Sequence, residues 1–280
     1  MTRILDGKTV SEHLIADLKK RRAAIQHPMR LGIVLVGENP ASLAYVEQKQ
    51  KVGRSIGIRV DVFQYSTTTS TRALRRAVGT VCRKPHMCGV IVQLPLPQHV
   101  NTQSVLNAIL PHLDVDVLSA TSLGRMYTGT LPILPPTIAS INALLEHYAI
   151  PTAGKTIAIV GYGRLVGKPA TLFFAQKKAT VLVIQSNTKD APSLIQTADI
   201  IITGTGKPGT IQKEMIKKGA TLLDAGFSYH NNTTTGDIHK DAYQNASFYS
   251  PVPGGIGALT VAYLFDNMLT LYAHSHPKTQ

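Results

Sequence analysis

The sequence predicts an α/β fold made of two α/β domains, and three observations support this. Short β-branched segments alternate with segments of helical period over residues 31–92, and the same alternation returns over residues 156–224. Prolines interrupt it between the two series, at 131–136. A length of 280 residues suits one large domain or two modest ones, and a hydrophobic content of 44% is enough to build a core.

The first series opens with a helix, because Thr9 and Glu12 have capping-box spacing and the apolar residues around them recur near helical period. Further elements are expected as follows: a strand at 31–36, a helix from about Ser42, a strand at 58–62, a helix from Ser70 and a strand at 90–92. Strands that are separated by helices form a parallel sheet.

The second series predicts another unit of the same kind. A helix at 137–148 leads into it. Strands are expected at 156–160, 181–184, 200–203 and 221–224, with helices between them. The apolar run at 258–264 predicts a final helix.

The net charge of +13 favours anionic partners. The basic residues are dispersed along predicted helices without interleaved aromatic residues, so phosphate- or carboxylate-bearing small molecules explain the charge at least as well as nucleic acid does. The two cysteines and ten histidines lack metal-ligand spacing, and we expect no metal. We find no apolar stretch of the ~18 residues that a membrane span needs and no signal-peptide core, so a cytoplasmic protein is expected.

A glycine-rich segment at 161–167, Gly-Tyr-Gly-Arg-Leu-Val-Gly, follows a predicted strand and precedes a helix. That is the setting of a dinucleotide-binding loop, although the third glycine comes one residue late, and a plain strand-to-helix turn is the alternative. No carboxylate stands at the end of the next strand, where an NAD site places one for the ribose. Since Arg164 and Ser186 can approach a 2′-phosphate, NADP is favoured, with NAD possible.

A second glycine-rich segment, Ser-Pro-Val-Pro-Gly-Gly-Ile-Gly at 250–257, precedes the final predicted helix. Its prolines fix φ, and its glycines let backbone approach a ligand closely at a helix N-terminus. A tight structural turn is the alternative.

Candidate catalytic groups lie in the first unit. Tyr45 and Lys49 are four residues apart on a predicted helix, so they project from one face. Gln93 follows the strand at 90–92, and ligands bind beyond the carboxyl ends of such strands. A lysine needs burial or nearby cations to transfer protons near neutral pH, and an exposed lysine is the alternative. One carboxylate of the Asp114-Val115-Asp116 segment can bind the edge of an aminopyrimidine through two hydrogen bonds.

These segments together resemble one family, the bifunctional methylenetetrahydrofolate dehydrogenase/methenyltetrahydrofolate cyclohydrolases (FolD family). The resemblance covers nearly the whole chain. It rests on the following segments: 6–8, 36–42, Tyr45-Val46 with Lys49, 89–97, 114–116, 166–169, 206–209 and 251–257.

The resemblance implies oxidation of 5,10-methylenetetrahydrofolate with a nicotinamide cofactor, then hydrolysis of the methenyl product to 10-formyltetrahydrofolate. By the same resemblance Lys49 handles proton transfer, Tyr45 orients the substrate, Gln93 positions the lysine and Asp116 anchors the pterin. Implied substrate contacts also include Pro251, Gly254 and Gly255. Implied cofactor contacts are Gly161, Tyr162, Gly163, Arg164, Val166, Gly167, Ser186, Thr205, Gly206 and Ile256.

The implied architecture is an N-terminal catalytic domain at 1–120, completed by a C-terminal helix at 257–280, and a Rossmann-like nucleotide-binding domain at 121–256 across a cleft. Homodimers are also implied. The chain departs from the family pattern at four places: Tyr162-Gly163 replaces Arg-Ser, Gln185 replaces His, Val117 replaces Gly, and 135–138 reads Pro-Pro-Thr-Ile instead of Pro-Cys-Thr-Pro.

Three alternatives stay open. The first is a dehydrogenase with weak or absent cyclohydrolase activity. The second is a basic, non-catalytic protein that binds nucleotides or RNA. The third is an NADP-dependent enzyme for an unrelated carbonyl compound, which leaves Tyr45, Lys49, Gln93 and Asp116 unexplained.

Overall fold

The computed structural model of the chain describes residues 2–230 and 233–276. The helices are α1 (Gly7–Ala23), α2 (Pro40–Ser55), α3 (Thr71–Cys82), α4 (Thr102–Leu106), α5 (Ala120–Tyr127), α6 (Pro136–His147), α7 (Gly167–Gln176), α8 (Ala191–Gln196) and α9 (Ile256–Ser275). The strands are β1 (Arg3–Ile4), β2 (Arg30–Val36), β3 (Arg59–Tyr65), β4 (Met87–Val92), β5 (Thr156–Val160), β6 (Thr180–Ile184), β7 (Ile200–Thr203), β8 (Ala220–Asp224), β9 (Ser228–His230), β10 (Thr233–Thr235) and β11 (Ala246–Tyr249).

The chain folds into two compact units. The six-stranded unit contains Met1–Glu12 and Thr137–Thr260, and the three-stranded unit contains His13–Pro136 and Val261–Gln280. Both are α/β with parallel main sheets, as the sequence predicted. Compactness does not test where the predicted domains begin and end, so those boundaries stay a prediction.

The six-stranded unit has the strand order β1-β11-β8-β7-β5-β6, and neighbouring strands are parallel. A small antiparallel ribbon, β9 with β10, stands outside this sheet. The sequence predicted the four strands β5 to β8 and missed β1 and β11, which pair with each other. It also predicted a helix between β7 and β8, which is wrong, because only a short 3₁₀ turn at Lys213–Met215 lies there.

The three-stranded unit has the order β3-β2-β4, again with parallel neighbours. Every residue of β4 is buried, and so is every residue of β2 after Arg30. This explains why both strands read as continuous apolar runs. Helices α3 and α4 pack their apolar residues against this sheet and bury a core that includes Leu74, Val78 and Val105.

Two predicted helix starts need correction. Helix α1 begins at Gly7, because Asp6 accepts hydrogen bonds from the Lys8 amide (3.0 Å) and the Thr9 hydroxyl (2.7 Å), so Thr9 lies inside the helix instead of capping it. Helix α2 begins at Pro40, earlier than Ser42, because Asn39 caps it. Helix α3 begins beside its Ser70 cap, as predicted.

Helix α9 corrects the expectation that no apolar stretch is long enough to span a membrane. One 18-residue window of it has a mean hydropathy of 1.3, which meets that requirement by length and composition. In the described chain 56% of this window is buried, with Phe265 and Met268 in the core. Asn267 donates hydrogen bonds to the carbonyls of Val115 (2.8 Å) and Leu134 (2.7 Å). Packing in the three-stranded unit accounts for the apolar character of this helix.

Candidate active site

Lys49 and Gln93 meet in the three-stranded unit. Lys49 lies on α2, Gln93 directly follows β4, and the lysine Nζ donates a 2.9 Å hydrogen bond to the glutamine Oε1. The glutamine is itself held, because its side-chain amide donates to the Leu94 carbonyl (3.0 Å) and its backbone N–H donates to the Val34 carbonyl (2.9 Å). Lys49 is only 9% exposed, so it is not a surface lysine.

Burial changes the acid–base character of Lys49. Desolvation is the largest effect and lowers the pKa of its ammonium, while the negative charge of Asp116 acts in the opposite direction. The lysine can therefore lose its proton more readily than an exposed one. This is the property that a proton-transferring amine needs near neutral pH.

Tyr45 lies one turn before Lys49 on α2. The lysine Nζ is 5.5 Å from the centre of the tyrosine ring, a cation–π distance. Burial raises the pKa of the phenol to about 12, so Tyr45 stays neutral over the physiological range. Its hydroxyl can take part in hydrogen bonds, and its ring offers a flat apolar surface.

The two carboxylates of the 114–116 segment have different surroundings. Asp114 is fully buried and accepts hydrogen bonds from the backbone amides of Leu118 (3.2 Å) and Ser119 (2.9 Å), so it holds a turn. Asp116 keeps some exposed surface, yet desolvation raises its carboxyl pKa to about 6, with Lys49 lowering it and Asp114 raising it further. Asp116 is the carboxylate free to meet a substrate.

Val117, one of the departures from the family pattern, has a φ of 58°. This is left-handed backbone, where glycine is favoured and a β-branched residue is strained. The strain is of order 1–2 kcal/mol, and burial of a valine side chain contributes about as much in the other direction. Val117 is completely buried, so the turn keeps a glycine-like backbone around a larger side chain.

The dinucleotide loop at 161–167 lies in the six-stranded unit, between β5 and α7. Gly161 has a φ of 94°, and its amide donates to the Ile184 carbonyl at the end of β6 (2.9 Å). A Cβ added at Gly167 would overlap the Gly161 carbonyl oxygen, whereas one at Gly163 would meet nothing closer than 3.8 Å. The two ends of the loop are therefore closely packed against other backbone or side-chain atoms, and its middle has free space around it.

The N-terminus of α7 suits a phosphate group. Its cap residue, Val166, makes no side-chain hydrogen bond to the first turn. Backbone N–H groups and the helix dipole there favour an anion, and the open backbone at Gly163 leaves room for one. The loop therefore fits a dinucleotide better than it fits a plain turn.

Residues at the end of β6 stand where a dinucleotide-binding domain contacts the ribose of its cofactor. Gln185 and Ser186 are exposed, and no carboxylate directly follows the strand. Arg164 is partly buried and lies within the dinucleotide loop, and Tyr162 is exposed with the Lys168 Nζ 5.7 Å from its ring centre. Roles for Arg164 and Ser186 at a 2′-phosphate stay a prediction.

The Pro/Gly segment at 250–257 packs on the start of α1, within the six-stranded unit. The Gly7 amide donates to the Gly254 carbonyl (3.0 Å), and a Cβ at Gly7 would overlap the Gly255 carbonyl. Gly254 has a φ of 109°. Close packing thus requires these glycines whether or not a ligand binds. Contacts of Pro251, Gly254, Gly255 and Ile256 with substrate or cofactor stay predictions.

Thr205 and Gly206 follow β7, at the same edge of the sheet as the dinucleotide loop. The backbone amides of Thr205 and Lys207 donate to the carboxylate of Asp237, which lies next to Asp224. Sequence reasoning missed both of these buried carboxylates. Asp224 ends a buried strand, and that position was an available signal. No hydrophobic pattern in the sequence around Asp237 indicates that this residue is buried.

Among the described residues no cluster of three or more His, Cys, Asp or Glu is placed to hold a metal ion.

Comparison with known proteins covers both units. Residues 5–116 match the family model for the catalytic domain of tetrahydrofolate dehydrogenase/cyclohydrolase, and residues 135–276 match the model for its NAD(P)-binding domain. The chain is 34% identical over 266 residues to the bifunctional protein FolD of Thermus thermophilus, covering 95% of this chain and 94% of that protein.

Two solved structures are similar over almost the whole chain. The FolD methylenetetrahydrofolate dehydrogenase/cyclohydrolase of Campylobacter jejuni has a TM-score of 0.93 at 30% identity and covers 98% of this chain and 100% of its own. The Trypanosoma brucei enzyme, in complex with NADP cofactor and an inhibitor, has a TM-score of 0.93 at 28% identity and covers 99% of each chain. The chain therefore belongs to the bifunctional tetrahydrofolate dehydrogenase/cyclohydrolase family, which oxidises methylenetetrahydrofolate with a nicotinamide cofactor and hydrolyses the methenyl product.

Proposed function

We propose that Lys49 is the acid–base residue of the hydrolytic step and that Gln93, Tyr45 and Asp116 position the lysine and the substrate. The observation that carries this proposal is a buried amine, 9% exposed, held at 2.9 Å by one amide oxygen. An amine kept only for stability gains little from burial without a carboxylate partner, since desolvating a charge is costly.

The oxidation requires little proton transfer. Lone pairs on the two folate nitrogens stabilise the cation that is left when the methylene carbon gives up a hydride. When bound, the nicotinamide supplies the hydride acceptor. The chain's part is orientation, so the ring of Tyr45, with its phenol kept neutral by a pKa of about 12, serves as a packing surface.

The hydrolysis does require proton transfer. Water attacks the methenyl carbon and loses one proton, and one ring nitrogen gains a proton as its bond to that carbon breaks. The remaining hydroxyl proton leaves to solvent as the formyl carbonyl forms. The lowered pKa of Lys49 lets its amine take the first proton and deliver the second. Gln93 keeps Nζ in place by accepting one of its hydrogen bonds throughout.

Asp116 is proposed to anchor the pterin. A carboxylate with two oxygens matches two N–H donors on an aminopyrimidine edge. Its pKa of about 6 leaves it mostly ionised at neutral pH, and its charge limits how far the pKa of Lys49 falls. The two groups are therefore coupled.

The test of the lysine assignment uses the two activities separately. In Lys49→Ala, we expect hydrolysis of methenyltetrahydrofolate to fall about hundredfold or more, while oxidation of methylenetetrahydrofolate is less affected. Lys51→Ala on the same helix is the control, since Lys51 is exposed. Normal hydrolysis in Lys49→Ala would reject the assignment.

If the unmodified protein accumulated the methenyl compound and formed no formyl product, it would be a dehydrogenase alone. A salt-sensitive, sub-micromolar affinity for RNA together with no folate turnover would favour the binding-protein alternative.

We further propose NADP as the preferred cofactor. The support is the absence of a carboxylate directly after β6, together with Arg164 in the loop and Ser186 at the strand end. Titration with NADP⁺ and NAD⁺ should give the lower Kd for NADP⁺. A clearly lower Kd for NAD⁺ would overturn the preference.

Homodimer formation and a cytoplasmic location belong to the same proposal and rest on the resemblance. Sedimentation equilibrium of the purified chain should give twice the mass of 30.2 kDa. A monomer at micromolar concentration would contradict the dimer.

A further inference from the structure

Two carboxylates, Asp224 and Asp237, are buried together in the six-stranded unit, with 1% and 0% of their surfaces exposed. Asp224 is the last residue of β8, and Asp237 lies between β10 and β11. None of the ion pairs formed by the described residues includes either group. Burying two such groups side by side is costly, so hydrogen bonds must compensate them.

Asp224 receives two of its four hydrogen bonds from the segment that carries Asp237. Its carboxylate accepts from the amides of Asp237 (3.1 Å) and Ile238 (3.0 Å), from the Gly226 amide (2.9 Å) and from the Thr203 hydroxyl (3.0 Å). Desolvation is the main cause of its raised pKa, and the neighbouring charge of Asp237 adds to it. Asp224 thus fixes the backbone from which the Asp237 side chain projects.

Asp237 holds the loop that follows β7. One carboxylate oxygen accepts from the Thr205 amide (2.6 Å) and the other from the Lys207 amide (3.0 Å). Between them, Gly206 has a φ of 67°. Two amides of one turn therefore point at one buried carboxylate, which fixes the turn in a single conformation.

Two neighbouring glycines leave the space that these carboxylates occupy. A Cβ added at Gly226 would overlap the Asp237 carboxyl group, and a Cβ added at Gly236 would overlap that of Asp224. A side chain at either position would push a carboxylate off its amide donors. The pair of glycines is a second, independent sign that the placement of the carboxylates is specific.

The loop held by Asp237 supports the dinucleotide loop. A Cβ at Gly161 would come within 2.9 Å of the Gly204 carbonyl oxygen, and a Cβ at Gly204 would come within 2.6 Å of the Val166 side chain. The Gly204 amide donates to the Val160 carbonyl (3.0 Å). Movement at 204–207 is therefore transmitted directly to 161–167.

We propose that Asp237 is a positioning residue for the nicotinamide dinucleotide: by holding the Thr205–Lys207 turn it fixes the surface on which the dinucleotide loop rests. The inference rests on the dinucleotide site at 161–167 described above. It assigns Asp237 no contact with cofactor or substrate, and it assigns Asp224 the task of orienting Asp237.

Asp237→Asn tests this, because asparagine keeps the shape and loses one acceptor and the charge. We expect the Kd for NADP⁺ and for NAD⁺, measured by calorimetry, to rise at least about tenfold. The rate of hydrolysis of preformed methenyltetrahydrofolate, assayed without dinucleotide, should stay within about twofold of the rate of the unmodified protein. Asp237 and Lys49 lie in different units, and substitutions at distant sites without shared partners act nearly independently. Asp241→Asn, an exposed aspartate four residues away, is the matched control and should change neither quantity.

Gly226→Ala is the second variant, because it displaces the Asp237 carboxylate without changing charge. It should also weaken dinucleotide binding and spare hydrolysis. An unchanged Kd in both variants overturns the proposal, and so does loss of the fold in both, since the carboxylate then supports the whole unit and not the site. If the unmodified protein binds dinucleotide but hydrolyses nothing, the proposed function fails, while the Kd values, with thermal unfolding as the fold control, still decide this inference.

Discussion

The two units build their sites by different means. In the three-stranded unit, the proposed chemistry depends on side chains: Lys49 is buried against Gln93, and Asp116 has a pKa raised to about 6. In the six-stranded unit, the proposed dinucleotide site depends on backbone: Gly161 and Gly167 pack closely at the two ends of the loop, and Asp237 accepts hydrogen bonds from two amides. The first site depends on the protonation states of its side chains, and the second depends on how closely backbone segments pack against one another.

This difference predicts opposite sensitivities. The backbone site should fail when a single methyl group is added, because packed backbone cannot move aside easily. The side-chain site should accept small changes in volume and respond to pH. Mutations in one unit should leave the chemistry assigned to the other largely intact.

The largest effect expected on dinucleotide binding is that of Gly167→Ala. The added methyl group would overlap the Gly161 carbonyl oxygen, which is backbone and cannot rotate away. Overpacking of this kind costs about 1–3 kcal/mol, which corresponds to a rise in dinucleotide Kd of about fivefold to 150-fold if the cost falls on binding. Calorimetric titration measures it, and dinucleotide-free hydrolysis should continue.

Gly124→Ala is the control for that substitution, since a Cβ there meets nothing within 4 Å and its backbone is helical. It should leave both activities unchanged. If Gly167→Ala bound dinucleotide normally, the loop would not be the close-packed element described above, and the contrast between the two sites would be lost.

Sequence patterns predicted the features that depend on neighbouring residues and missed those that depend on distant ones. Buried β-branched runs bounded by turn residues gave β5 and β7 with correct bounds, because their period and termini are local properties. Strand β1 has two residues and pairs only with β11, so no local pattern marks it.

The site residues divide in the same way. Spacing on one helix predicted that Tyr45 and Lys49 share a face, and the strand end located Gln93. The burial of Lys49 depends on residues that are far away in the sequence, so the helical periodicity of α2 cannot predict it. Asp237 is harder still, because its partners, the amides of Thr205 and Lys207, carry no side-chain signature.

The next effect in size is the pH dependence of substrate affinity. The Asp116 carboxyl, with a pKa raised to about 6, is ionised above that value. The charge-assisted hydrogen bonds proposed between Asp116 and substrate should therefore form at neutral pH and be lost as pH falls through about 6. We expect the KM for methylenetetrahydrofolate to rise severalfold between about pH 7 and pH 5. In Asp116→Asn the KM should be high at neutral pH and nearly flat. A variant with the same slope as the unmodified protein would show that another group titrates.

The smallest effect concerns Asp114, two residues away, and it sets the boundary of the chemical site. Its carboxylate accepts from the amides of Leu118 and Ser119, and it holds the turn that contains Val117 at a φ of 58°. Asparagine can accept only one of these bonds, so Asp114→Asn should lower the free energy of unfolding by about 1–2 kcal/mol in urea titrations. The folded variant should keep a pH-dependent KM, with its midpoint moved to lower pH, because removal of the Asp114 charge removes one cause of the raised pKa of Asp116. A flattened profile in Asp114→Asn would mean that Asp114 itself carries the pH dependence, and the division between supporting and substrate-binding groups would have to be redrawn.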